Sequence, residues 1–235
     1  MSSRVKVKQA NRMVREQLAR ERRRRRTIIV SIVAAAALVV AGLVGWAIYA
    51  NQAPPASFAT PAHASKDGTG IVVSTGTATV DFYQDFLCPI CKQFESQASS
   101  TLDSMVAQKK IALVYHPIAI LDDRTNPSGY STRAAAAAAC AADGNKFPEY
   151  FRALYDKQPA EGSAGLSNDQ LVQIGVGVGL TDNTFAQCVT SQKYGNWVAH
   201  NTDTAAGKNI QGTPTVLVNG KQIQNTVNAL QQAVG

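Results

Sequence analysis

The sequence predicts an α/β protein in which one transmembrane helix precedes a folded domain over residues 69–235. Three observations lead to this prediction. Residues 70–121 have the pattern of strands at 70–75 and 78–86, a helix from Pro89 and a strand at 111–121, and residues 215–235 have that of a β-hairpin followed by a helix. The residues between these two parts, about 130–207, form a helical block. An uncharged stretch at residues 27–50 predicts the transmembrane helix.

The charge of the chain is concentrated at its N-terminus. Residues 1–26 contain eleven Lys or Arg and two Glu, a net charge of +9 in a chain whose total is +7. The remaining residues are therefore slightly acidic, and we expect no nucleic-acid partner. The alternative is that the run Arg22–Arg26 binds nucleic acid or an acidic cytoplasmic partner. Its position directly before an apolar stretch favours a role in membrane topology instead.

The apolar stretch has the length and the flanks of a membrane anchor. Residues 27–50 number 24 and carry no charge, and a spanning helix needs about 20 residues. Trp46 and Tyr49 lie near its end, where aromatic side chains favour the membrane interface. Because the arginines precede it, the positive-inside rule predicts a single-pass cell-membrane protein with residues 1–26 in the cytoplasm and the domain outside.

The segment after the anchor has no pattern of secondary structure. Residues 51–68 are rich in Pro, Ala and Ser, which predicts a linker.

The alternative to a membrane anchor is a cleaved signal peptide, because Ala62-His63-Ala64 has small residues at the spacing of a cleavage site. The apolar stretch is longer than the ~7–15 residues of the apolar core (h-region) of a signal peptide, so we expect a retained anchor.

Two cysteines lie where a strand passes into a helix. The predicted strand 78–86 leads directly to Cys88, and Pro89 suits the first position of a helix. The helix dipole favours negative charge at this end and should lower the pKa of a thiol there. We therefore expect Cys88 to be the nucleophile. Cys91 is one turn further into the helix, and we expect it to be the more shielded, resolving thiol.

Two other roles for this pair have to be weighed. A zinc site needs two more ligands, but the chain has no second CxxC, and His63, His116 and His200 stand alone, so no metal is expected. A purely structural bridge between Cys88 and Cys91 would close a very short loop and stabilise little. A redox role is therefore favoured.

The other two cysteines, Cys140 and Cys188, both fall on predicted helices. They lie in a domain predicted to be outside the cell, where disulfides persist. A bridge between them would stabilise the fold by roughly 4 kcal/mol in the chain-entropy model. We interpret them as a structural disulfide, and a second redox pair is the alternative.

The segment DFLCPICKQFE at residues 85–95, with GTPT at 212–215, resembles the DsbA-type thiol–disulfide oxidoreductases of the thioredoxin superfamily, closest to their membrane-anchored actinobacterial members. The resemblance implies a thioredoxin-like fold with a helical insertion at about residues 130–207. It also implies that Pro89 and Ile90 belong to the active-site loop, and that Thr213-Pro214 is a cis-proline loop beside the cysteines. No bound cofactor is implied.

The sequence also departs from the family pattern. Ile90 stands where the best-known DsbA proteins have a histidine, which can stabilise a thiolate. We therefore expect the pKa of Cys88 to be lowered less than in those proteins. Many thioredoxin-like proteins have a buried acid six residues before the first cysteine, where this chain has Phe82. Asp81 and Asp85 are weak candidates for a proton relay; by strand alternation they lie on the opposite face from Phe82.

The predicted function is an extracytoplasmic thiol:disulfide oxidoreductase that oxidises the cysteines of exported proteins through a Cys88–Cys91 disulfide. The resemblance implies that a quinone-linked membrane oxidase reoxidises it. One alternative is a reductase or isomerase of the same fold. Another is a non-enzymatic binding module, outside the membrane, with an inert disulfide.

Overall fold

The computed structural model describes residues 38–42 and 58–235. Residues 38–42 are helical. The rest of the predicted span 27–50, the basic segment 1–26 and the first part of the predicted linker lie outside the described residues. Within the described ranges, no helix combines the length and the apolar character needed to cross a membrane.

The compact unit that contains the predicted domain begins at Phe58, eleven residues before the predicted boundary at 69. The backbone N–H of Ala62 donates to the Asp143 carboxylate at 2.9 Å, and Ala64 forms an isolated bridge with Ile71. Residues 58–68, assigned to the linker from their composition, therefore lie against the domain. Asp143 is 81 residues from Ala62, so the composition of the segment does not reveal this contact.

A mixed sheet of five strands forms the centre of the domain. In sheet order the strands are β1-β3-β2-β4-β5, with bounds β1 Ile71–Val72, β2 Ala78–Gln84, β3 Ile111–Pro117, β4 Thr215–Val218 and β5 Lys221–Gln222. Strands β2 and β3 are parallel, and the other neighbours are antiparallel. Strand β1 is shorter than the predicted strand 70–75.

Seven helices and one 3₁₀ turn (Asp122–Arg124) surround the sheet in the described domain. Helix α1 (Pro89–Ala107) connects β2 to β3, and α7 (Val227–Val234) follows the hairpin of β4 and β5. Five helices lie between β3 and β4: α2 Tyr130–Asp143, α3 Phe147–Asp156, α4 Asn168–Gly177, α5 Asn183–Thr190 and α6 Gly195–Gly207. The predicted α/β class with a large helical part is confirmed.

Strand alternation sends one face of β2 into the main core. Phe82 is buried there, with its ring centroid 5.3 Å from that of Phe94 on α1 and 5.5 Å from that of Tyr115 on β3. Helix α2 is buried along most of its length, because its run of alanines, residues 134–139, presents small side chains that let neighbouring helices approach. A disulfide joins Cys140 on α2 to Cys188 on α5.

Candidate active site

The sheet and helix α1 place Cys88 at the start of the helix. Strand β2 ends at Gln84, and Cys88 is the N-cap residue of α1, with φ −70° and ψ 115°. Its Sγ accepts a hydrogen bond from the backbone N–H of Cys91 at 3.4 Å. Pro89 occupies the first turn, where a backbone N–H has no helical partner to lose. The sulfur thus takes the place that a Ser or Asp oxygen takes in an ordinary helix cap.

A second contact comes from the other end of the sequence. The Cys88 thiol donates to the backbone carbonyl oxygen of Thr213 at 3.3 Å. The peptide bond between Thr213 and Pro214 is cis, and this loop enters β4 directly. Because β4 pairs with β2, the sheet register brings the loop beside the cysteine pair.

The two sulfurs differ in their exposure to solvent. Cys91 is completely buried, whereas Cys88 is 4% exposed and lies next to the surface residues Pro89 and Ile90. Ile90 is 60% exposed, an unusual state for a large apolar side chain in this domain. Both cysteines are free thiols in the structure. Only Cys88 is therefore positioned to attack a sulfur of another protein, or to be attacked by one.

The electrostatic environment separates the two thiols further. The pKa of Cys88 is lowered to about 6, chiefly by a hydrogen bond from the Cys91 thiol; burial opposes the shift, and the side chain of Thr213 and the N–H groups of Cys91 and Ile90 assist it. The pKa of Cys91 is raised, mainly by burial and also by its hydrogen bond to Cys88. At neutral pH the pair therefore carries one thiolate, on Cys88, and one thiol, on Cys91.

Asp85 is part of the loop that carries the nucleophile. It is completely buried, and its carboxylate accepts hydrogen bonds from the Ser131 hydroxyl at 2.7 Å and from the backbone N–H groups of Leu87 and Leu121, each at 2.9 Å. Burial raises its pKa to about 6. The sequence predicts a strand that continues to residue 86 and includes Asp85. Strand β2 instead ends at Gln84, so Asp85 lies outside the strand and strand alternation does not determine the face on which its side chain lies.

Asp81 lies on the opposite face of the sheet from helix α1. Its carboxylate accepts from the Nε2 of His116 at 2.9 Å, and the Nδ1 of the same ring is 2.9 Å from the carbonyl oxygen of Thr69. The His116 ring also stacks on Tyr83, with 4.3 Å between centroids. Asp81 therefore belongs to a contact between the sheet and the N-terminal segment, and not to the surroundings of the sulfurs.

The structure adds three residues that the sequence analysis did not single out. Glu95 is 4% exposed, one helical turn after Cys91, and burial raises its pKa to about 7. Its carboxylate is 3.6 Å from the Nε of Arg152. Tyr155 and Gln158 donate hydrogen bonds to the carbonyl oxygens of Asp85 and Phe86, in the active-site loop of residues 85–90. Helical spacing from Cys91 could have revealed Glu95, but contacts across about 70 residues leave no local signal for the other two.

Comparison with known proteins identifies the fold. The family model described as Thioredoxin matches residues 71–235. The chain belongs to the thioredoxin family. This thioredoxin-family chain is similar to oxidised DsbA of Mycobacterium tuberculosis, with a TM-score of 0.61 and 34% identity, covering 71% of this chain and 93% of that chain. It is also similar to the reduced disulfide bond oxidoreductase DsbG of the same organism, with a TM-score of 0.60 and 36% identity, covering 73% and 84% of the two chains.

The curated relatives are larger proteins. The chain is 32% identical over 159 residues to the serine/threonine-protein kinase PknE of Mycobacterium tuberculosis, which covers 64% of this chain. It spans 28% of the length of that kinase.

MdbA of Actinomyces oris, a thiol–disulfide oxidoreductase, shares the fold at a TM-score of 0.61 with 21% identity over 74% of this chain and 90% of that one. The two Mycobacterium tuberculosis structures, at 34% and 36% identity, support an oxidoreductase enzyme.

Proposed function

We propose that this thioredoxin-family protein is an extracytoplasmic thiol:disulfide oxidoreductase that oxidises the cysteines of exported proteins through Cys88 and Cys91. The observation that carries the proposal is the pairing of an N-cap thiol, whose pKa is about 6, with a buried thiol whose pKa is raised. A thiolate is the form that attacks a disulfide and the form that leaves one easily.

The reaction begins from the Cys88–Cys91 disulfide. A substrate thiolate attacks the Sγ of Cys88; a new S–S bond joins substrate to Cys88, and the Cys91 sulfur leaves and takes up a proton. A second substrate thiolate then attacks the substrate sulfur of this mixed disulfide, and Cys88 leaves as a thiolate. The substrate loses two electrons and gains a disulfide, and the protein becomes the dithiol. Of the two carboxylates proposed as proton relays, only Asp85 belongs to the active-site loop.

The lowered pKa of Cys88 favours the direction of oxidation. A stabilised thiolate stabilises the dithiol form, so that the protein tends to give its disulfide away. Its pKa of about 6 lies between the values of about 3.5 for DsbA and about 7 for thioredoxin. We therefore propose an oxidant weaker than DsbA. In the reverse direction, as a reductase or isomerase, Cys91 would attack the mixed disulfide and release the reduced substrate.

Reoxidation completes the cycle. We propose a quinone-linked membrane oxidase as the electron acceptor, on the strength of the family resemblance. We also propose that residues 27–50, with no charged side chain, anchor the protein in the cell membrane with residues 1–26 in the cytoplasm. Holding both proteins in one membrane would raise their effective concentration for each other.

The test is oxidation of a reduced, unfolded protein substrate, together with a titration in glutathione buffers. We expect the oxidised chain to form disulfides in the substrate, Cys88→Ser to form none, and the reduction potential to lie between about −120 mV, as in DsbA, and about −270 mV, as in thioredoxin. A potential near that of thioredoxin would contradict the oxidase and favour the reductase. Equal behaviour of wild type and Cys88→Ser would favour a binding module with an inert bridge.

A further inference from the structure

The segment that carries the nucleophile is held by the end of helix α3, which belongs to the helical block. The Tyr155 hydroxyl donates to the Gln84 Oε1 at 2.9 Å and lies 3.2 Å from the carbonyl oxygen of Asp85. Two residues after the helix ends, the Nε2 of Gln158 donates to the carbonyl oxygens of Phe86 at 2.9 Å and of Cys88 at 3.0 Å.

The contact of Gln158 with Cys88 fixes the orientation of one peptide plane. The carbonyl oxygen of an N-cap residue ordinarily accepts the first hydrogen bond of the helix. Here that bond, from the Lys92 N–H, is long at 3.3 Å, and the side-chain amide of Gln158 is the nearer donor. Because ψ sets the direction of the carbonyl, a donor held in place at that oxygen restrains the ψ of Cys88.

The ψ of Cys88 in turn decides where its sulfur lies. At the observed 115° the residue is extended, and the sulfur reaches back to the Cys91 N–H. A helical ψ, about −42°, would extend the helix by one residue and remove the sulfur from the cap position. The thiolate would then lose N–H groups that help to lower its pKa.

We infer that Gln158 is a positioning residue for the nucleophile: through Phe86 and Cys88, its amide holds the sulfur in the cap position where the thiolate is stabilised. This role rests on the proposed function of Cys88. It gives the helical block a direct part in the chemistry of the site, because the donor comes from the end of α3 while the acceptors belong to the segment between β2 and α1.

The experiment compares Gln158→Met with wild type in the full-length chain. Methionine keeps the length of the side chain and removes both donors, and Gln158 is only half-buried, so that an apolar replacement is tolerated. Thiolate absorbance at 240 nm, followed against pH, reports the titration of Cys88 in the reduced protein. The matched control is Gln173→Met, which makes the same change at an exposed position of α4.

We expect the titration midpoint of Gln158→Met to rise by about half a pH unit, the size of a modest hydrogen-bond contribution. Alkylation of Cys88 at pH 5 should then slow by about threefold, since the thiolate fraction falls by that factor. The control should behave as wild type. If Gln158→Met does not fold, Gln158→Asn, whose amide is one methylene shorter, is measured with the same expectation.

A midpoint unchanged from wild type overturns the inference, and so does a variant that only unfolds more easily while its titration stays the same. The titration requires no substrate, so it is independent of the oxidase assay. A wild-type protein that titrates at low pH but oxidises no substrate would contradict the proposed function and leave the role of Gln158 standing.

Discussion

The Sγ of Cys88 and the carbonyl oxygen of Thr213 are separated by 125 residues of sequence and by 3.3 Å in space. The contact joins the start of helix α1 to the loop that enters β4, and it makes the carbonyl oxygen of Thr213 a neighbour of any group bonded to the sulfur. A substrate joined to Cys88 would therefore lie next to the backbone of Thr213. An extended substrate chain can form main-chain hydrogen bonds there.

Replacing Cys91 by serine should leave the nucleophile active and remove the resolving thiol. Reduced Cys91→Ser, presented with a disulfide-containing substrate, should accumulate a mixed disulfide through Cys88, because no second thiol of the protein can release it. Mass spectrometry under non-reducing conditions measures the adduct. Cys88→Ser is the control and should form none, since Cys91 is completely buried; an equal adduct on that variant would contradict the assignment of the two roles.

The reduced protein should gain stability relative to the oxidised protein as the pH rises from about 6 to about 8.5. The pKa of Cys88 is about 6 in the folded dithiol and about 8.5 in an unfolded chain. A lowered pKa stabilises the folded form above the unfolded value, and that contribution is lost as the pH falls through the folded value. Above about 8.5 the raised pKa of Cys91 acts in the opposite direction.

Thermal unfolding of the two redox forms at a series of pH values measures this effect. In reduced Cys88→Ser the gain between about pH 6 and pH 8.5 should disappear, because serine does not titrate in this range. A difference between the two forms that stays constant over the whole range would contradict a stabilised thiolate at Cys88.

Asp85→Asn should destabilise the domain by about 1–3 kcal/mol, because the NH2 group of the new amide would face at least one of the donors from which the carboxylate now accepts three hydrogen bonds. Urea unfolding of the reduced protein measures the loss. Asp123→Asn removes a charge from a side chain that is 84% exposed and should change stability little. If the two variants unfold at the same urea concentration, the buried hydrogen bonds of Asp85 do not hold the active-site loop.

Removing the second disulfide should cost stability and leave redox function in place. Cys140 and Cys188 are 48 residues apart in sequence, and a bridge over such a loop is worth about 4 kcal/mol in the chain-entropy model. The double variant Cys140→Ala, Cys188→Ala should unfold at lower urea with the reduction potential of Cys88 and Cys91 unchanged. A changed potential would instead favour the alternative of a second redox pair.

The sequence is informative where the chemistry depends on neighbours in the chain. The cap position of Cys88 can be predicted because a strand-to-helix junction, a CxxC spacing and a proline all occur within a few residues. The assignment of Asp85 to the face of a strand failed for a local reason, since the strand ends at Gln84 and the next residues turn inward to bury a carboxylate.

Other contacts between distant segments could not be predicted, unlike that of the Thr213-Pro214 loop with Cys88, which the family resemblance implied. Tyr155, on α3, and Gln158, two residues after α3 ends, reach the active-site loop from about 70 residues away. No local pattern in the sequence marks a side chain that donates across the domain. The same holds for residues 58–68, whose composition is that of a linker. The Asp143 carboxylate, which accepts from the backbone N–H of Ala62, is 81 residues away in sequence.

The disulfide between helices α2 and α5 has a consequence for how the protein itself is made. Each newly made copy begins with four thiols, and two of them, on Cys140 and Cys188, are joined in the folded domain. Formation of this disulfide therefore removes two electrons from each new copy, separately from the catalytic cycle. If the proposed function is correct, the protein is also one of its own substrates: molecules that are already oxidised form the Cys140–Cys188 disulfide in newly made ones.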